Sequence, residues 1–214
     1  MGLLSASPAW ATLIDFESGF VDLQSVGVVN TGDNVVTFSH PNNSSLDLAI
    51  AKVGGDPVTG LGTSFTSASL PPDTPLDTLV SGDFFLDGAS VGYIIDFANP
   101  VTSLSLDLYD FRGDGHPNFP IFGNVATLEL FADAGRTLSL GTDSFTVPNS
   151  LLPDANIVSL AVFSTGPAIA ASLLFATSDG GTGIDNIEFN TVPEPPPSRC
   201  SASQVSDSEL RERN

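Results

Sequence analysis

The chain has 214 residues, a hydrophobic share of 41% and a formal net charge of -19, from 25 acidic and six basic residues. That length suffices for one ordinary domain to bury a full core without help from metals or disulfides. The charge excludes phosphate-backbone binding, because no positive stripe can be built from so few cations when Arg199, Arg211 and Arg213 all lie in the tail.

At the N-terminus, Ala9-Trp10-Ala11 follows the helix-breaking Pro8 and has the small-x-small form of a signal-peptidase site. Residues 1–11 are therefore expected to be the remnant of a signal peptide, with mature protein starting at Thr12 and a basic stretch plus a longer apolar run upstream of Met1. From Thr12 the pattern is strand, turn, strand. Ile14 and Phe16 alternate with Leu13, Asp15 and Glu17, and strands are expected at 26–29, 35–38 and 46–51, separated by Asn/Gly/Asp and Pro/Asn turns. Residues 54–77, rich in Gly, Pro, Ser and Thr, read as a long insertion loop.

Strands resume at 78–86, 92–97 and 101–109. In the last of these Leu104, Leu106 and Leu108 face one way and Ser103, Ser105 and Asp107 the other, so one face is buried and one is wet. Further strands are expected at 125–132, 137–140, 144–147, 157–165, 168–176 and 184–189. No stretch holds a 3.6-residue apolar period between caps, so helix should be minor. Many short strands at hairpin spacing predict an all-β fold, an antiparallel β-sandwich of the jelly-roll type. In the closing strand, period two places Asp185 on the same face as Ile187 and Phe189, a carboxylate turned toward the apolar side that calls for a cation or several donors.

The ending Gly183-Ile-Asp-Asn-Ile-Glu-Phe189, followed by Val192-Pro193-Glu194-Pro195, comes after 92–101 (GYIIDFANPV) and an Asp133-Ala-Gly135 hairpin. This set resembles bacterial PEP-CTERM proteins with a β-sandwich ectodomain over nearly the whole chain. The resemblance implies export, Val192, Pro193, Glu194 and Pro195 as the sorting motif, an exosortase-type processing enzyme as partner, and an extracellular address among exopolysaccharide. Domain limits follow as 12–191 for the sandwich and 192–214 for the motif and tail. Where the family continues with a hydrophobic span, residues 196–214 are polar and could not cross a membrane. If the serines from Ser198 onward use TCN codons, reading one base earlier turns each into an apolar residue, so the tail is expected to be either a frameshift product or a natural disordered segment.

The 15–19 and 184–187 stretches also resemble the paired ends of calcium-binding jelly-roll carbohydrate-binding modules, whose first and last strands lie side by side. Glu17 and Asp185 are the expected calcium ligands, with Asp15 in reserve, because hard oxygen donors suit that ion. A second candidate is the loop holding Tyr109, Asp110, Asp114 and Asn118, which could hold a cation or a sugar, although Asp-Gly with Pro is also ordinary turn chemistry. His40 and His116 are too few for a histidine zinc site, and Cys200, the single cysteine, can form no intrachain disulfide. No carboxylate pair is singled out among the many acids. The expectation is a secreted, non-enzymatic protein of the cell surface or exopolysaccharide matrix. Its alternatives are a calcium-dependent module for cell-surface glycan and a glycan-active enzyme.

Overall fold

The computed structural model describes residues 11–16, 19–21, 24–42, 48–52, 84–87, 91–109, 123–147, 157–176 and 182–192. These form eleven antiparallel strands, with no helix among the described residues. They are β1 (Ala11–Ile14), β2 (Ser25–Val26), β3 (Val28–Asn30), β4 (Val35–Ser39), β5 (Leu48–Lys52), β6 (Phe84–Asp87), β7 (Gly92–Tyr109), β8 (Val125–Phe131), β9 (Ser139–Thr146), β10 (Ile157–Phe175) and β11 (Gly183–Thr191). The loop expected at 54–77 lies outside the described residues.

β7 and β10 shape the molecule. Each was expected as two strands, and each runs as one long strand folded where the break was expected. In their mutual register Phe163 lies opposite Ser103, Ala168 opposite Val101 and Ala170 opposite Asp96, so both strands bulge, at 164–167 and 97–100. Pro167 and Pro100 sit in these bulges because proline has no amide hydrogen to give a ladder. The fold divides the pairing into two layers. The first sheet contains β9, β8, the second half of β10, the first half of β7, β4 and β3. The second contains the first half of β10, the second half of β7, β11, β6, β5 and β2, with β1 sharing the outer edge of β11 with β6. The result is the antiparallel β-sandwich.

Between the layers lies the core that period two dictates: Leu104, Leu106 and Leu108 from one layer, with Tyr93 and Ile95 from the other, all at most 1% exposed. Phe97 meets Phe189 across the sandwich at 5.5 Å between ring centroids, and Phe16 meets Phe38 at 6.2 Å. The buried Tyr93 hydroxyl donates to the Thr182 carbonyl at 2.6 Å, linking the layers by a polar contact as well. Gly92 lies so close to β10 that a Cβ would stand 1.9 Å from the Leu173 carbonyl oxygen, and its φ of 121° also suits only glycine.

One side of the sandwich is shut where β9 meets β10. Asp143 accepts the Ala161 amide at 3.0 Å, and at Gly141 a Cβ would fall 2.8 Å from the Phe163 carbonyl oxygen. On the other side residues 24–30 pass from the second sheet to the first at Gly27, whose carbonyl accepts from the Phe38 amide at 2.8 Å. Near this side Asp33, in the β3–β4 turn, accepts hydroxyl bonds from Thr12 (2.6 Å), Thr31 (2.6 Å) and Thr191 (3.2 Å). Asp33 thereby ties the first strand to the last. Asn34, buried beneath it, is held by Asn99 through bonds of 2.9 Å in both directions.

Candidate functional site

The first and last strands do lie side by side, with Ala11 opposite Asn190 and Ile14 opposite Ile187. Asp185 does not share the face of Ile187 and Phe189 that period two predicts. Asp185 stands opposite Asp107 and Glu188 opposite Ser105, so β11 carries one extra residue between them. The bulge is centred on Asn186, whose φ of 48° lies in the left-handed region that asparagine tolerates better than most residues. It resets the alternation: Ile184, Ile187 and Phe189 all enter the core, while Asp185 joins Asp107 on the opposite, outer face of the second sheet. Asp185 is nevertheless only 3% exposed there.

That outer face is assembled row by row from cross-strand neighbours. Ser159, Asp107 and Asp185 make one row; Ala161, Ser105, Glu188 and Leu13 the next; Phe163, Ser103, Asn190 and Ala11 the third. At strand rises of about 3.3 Å and strand spacings of about 4.8 Å, the rows cover roughly 13 Å along the strands and roughly 14 Å across them. Their polar groups are fixed in place. The Ser159 hydroxyl donates to Asp107 Oδ1 at 2.5 Å, the Asn186 amide donates to Asp107 Oδ2 at 2.9 Å, and the Asn190 amide donates to Ser103 Oγ at 2.7 Å. Each bond leaves further acceptor lone pairs on the same oxygens. Directly opposed carboxylates such as Asp107 and Asp185 repel, and the donors on Asp107 offset part of that cost.

Phe163 stands at the end of this face and is 79% exposed, the one aromatic among the large exposed apolar side chains of the described residues. It is there by parity: Val158, Leu160 and Val162 fill the core, so Ser159, Ala161 and Phe163 point away from it. Leu13, 55% exposed, marks the far end of the middle row. Beyond it, between β1 and β3, opens a groove of about 410 Å³ whose walls include Leu13, Asp15, Phe20 and Val28.

Glu17, Asp110, Asp114, Asn118, Pro193, Glu194 and Pro195 lie outside the described residues. Tyr109 pairs through its backbone with Gly183 and Ile157 at the end of β7. Val192 donates its amide to the Pro100 carbonyl at 2.8 Å. As for calcium, no three His, Cys, Asp or Glu side chains come together among the described residues. Asp107 and Asp185 alone fall well short of the six to eight oxygens that ion takes. Two carboxyls elsewhere are held below their ordinary range. Burial pulls Asp33 upward, and the Thr12, Thr31 and Thr191 hydroxyls more than reverse it. At the β8–β9 turn the Leu138 amide, aided by Thr137, lowers Asp133. The guanidinium of Arg136, in the same turn, pairs with Asp96 on the outer face of the first sheet, away from Phe163.

Among the described residues no helix is long and apolar enough to cross a membrane. No protein-family model and no curated protein matches the chain. Solved structures do. A cleaved adhesin domain of Lys-gingipain from Porphyromonas gingivalis is 9% identical, with a TM-score of 0.45 over 86% of this chain and 99% of that one. A family 11 carbohydrate-binding module from a cellulosomal cellulase of Clostridium thermocellum is 9% identical, with a TM-score of 0.36 over 88% and 99%. A family 29 carbohydrate-binding module complexed with mannohexaose is 11% identical, with a TM-score of 0.34 over 86% and 94%. The chain is similar to these in its all-strand architecture alone.

Proposed function

We propose that the protein is an exported, non-enzymatic β-sandwich which, after PEP-CTERM sorting, associates with the cell surface or exopolysaccharide matrix and contacts glycan through the outer face of its second sheet. The observation that carries this reading is Phe163, 79% exposed on a sheet face whose polar members are serine, asparagine and carboxylate side chains. An aromatic ring left in water is unfavourable unless something stacks on it, and the apolar CH groups of a sugar ring fit it while the surrounding fixed acceptors take the hydroxyls. The sorting motif beginning at Val192 supports the extracellular address. The test is retardation of the full chain in native gels cast with soluble polysaccharides, neutral and acidic, with and without calcium. Retardation by at least one polysaccharide, lost on Phe163→Ala without a change in thermal midpoint, is expected. Absence of retardation by every polysaccharide, or cleavage of any of them, would overturn the proposal.

The second reading is the calcium-dependent module, with Glu17 and Asp185 as ligands. What favours it is the juxtaposition of Asp107 and Asp185 in register, because a cation between opposed carboxylates relieves their repulsion.

A further inference from the structure

We propose that the outer face of the second sheet takes an uncharged, hydroxyl-rich polysaccharide and turns polyanionic chains away; this rests on the glycan-contact reading of that face. A neutral chain needs a ring platform and hydrogen-bonding groups that are already oriented. Phe163 supplies the first. Ser103 tied to Asn190, and Asp107 tied to Ser159 and Asn186, supply the second. Acceptor-only carboxylates suit sugar hydroxyls, each of which carries a proton to donate.

An acidic chain needs cations, and among the described residues the face offers none. Of the six basic residues, the one whose side chain is described, Arg136, belongs to the opposite layer and is engaged by Asp96. Asp107, Asp185 and Glu188 lie instead within the two rows next to Phe163, so a carboxylate or sulfate on the ligand would meet negative charge within a Debye length wherever it settled. The formal charge of -19 adds the same sign at longer range.

The experiment compares affinity-gel retardation of the full chain by glucomannan, mixed-linkage β-glucan and arabinoxylan with retardation by sodium alginate, in EDTA and in calcium, at low and moderate salt. The expected result is binding to at least one neutral polymer, little changed by salt, with alginate at least tenfold weaker in EDTA. Phe163→Ala should weaken the neutral polymer at least tenfold. Glu188→Lys, at an exposed position on the same face, should narrow the gap to alginate several-fold at low salt and leave the neutral polymer bound. Alginate binding as tight as any neutral polymer in EDTA would overturn the inference, as would alginate binding that appears only with calcium; both leave the glycan-contact reading in place. Retention by none of the four polymers would overturn the inference and that reading together.

Discussion

Replacing Thr182 by valine should make the protein more stable. Thr182 stands just before β11 at the core edge, 1% exposed, and its backbone carbonyl accepts the Tyr93 hydroxyl at 2.6 Å. Its own hydroxyl is buried with no hydrogen-bond partner among the described residues. Burying an unsatisfied hydroxyl costs about 1–3 kcal/mol. Valine keeps the β-branched shape, suits a strand, and removes the group that bears the cost. Taking the lower half of that range, the gain is about 1–2 kcal/mol, and a domain of this size shifts its Tm by roughly 2–4 °C for each kcal/mol. The companion change Tyr93→Phe works in the opposite direction: it deletes the donor and leaves the Thr182 carbonyl buried, a loss of about 1–3 kcal/mol. Thermal unfolding followed by circular dichroism, checked by urea midpoints, reads both. A Thr182→Val protein that melts below wild type would refute the reasoning, since it would mean that the hydroxyl makes a bond worth more than its desolvation.

Asp33 gives a pH dependence with a definite sign. Its folded pKa lies below the ordinary 3.8, so the stability it confers is complete above that value and is lost as pH falls through the folded pKa. Wild type should accordingly be more stable than Asp33→Asn at pH 6, and the difference should shrink below pH 3.8; a difference that is the same at pH 6 and pH 2.5 would remove Asp33 from the acid response. Asn186→Ala should cost about 1–2 kcal/mol through its left-handed backbone, with further loss from the missing bond to Asp107. Asn186→Gly should recover the backbone part; equal urea midpoints for the two variants would argue against the bulge as the cause. For calcium, saturation at a hundredfold excess over Kd would stabilise wild type by about 2.7 kcal/mol. Asp185→Ala should abolish that gain. Identical melting of wild type in EDTA and in calcium would end the calcium reading.

Much of the fold is legible in simple alternation. Leu104, Leu106 and Leu108 against Ser103, Ser105 and Asp107 announce a half-buried strand, and the structure buries the leucines. The breaks at Pro100 and Pro167 are legible too, but proline reports only that the ladder is interrupted, and here the strand continues past the interruption into the other layer. The bulge at Asn186 escapes simple alternation for a related reason. Ile184 and Ile187, three apart, cannot share a face in a regular strand, and an asparagine between them is the residue that lets the backbone step out of phase. Phe163 is not singled out by its residue type, since phenylalanine is so commonly a core residue; only its phase with Ser159 and Ala161 marks it. The Asp33 cluster could not be read at all, since Thr12, Thr31 and Thr191 come together only through tertiary pairing.

The pairing of β1 with β11 bears on how the protein folds as it is made. Ala11 finds its partner in Asn190, so β1, made before the other ten described strands, must wait until almost all of them have followed it. Contacts between such distant parts of a chain are the ones that slow folding, because the intervening segment must be ordered before they form. Until then β1 remains without its neighbour, its open edge available to any extended segment nearby. The groove between β1 and β3 is thus assembled at the end of folding. A chain cut short before residue 187 would keep the residues of β7 and β10 yet lose the strand that receives β1, and would leave the amino-terminal segment exposed.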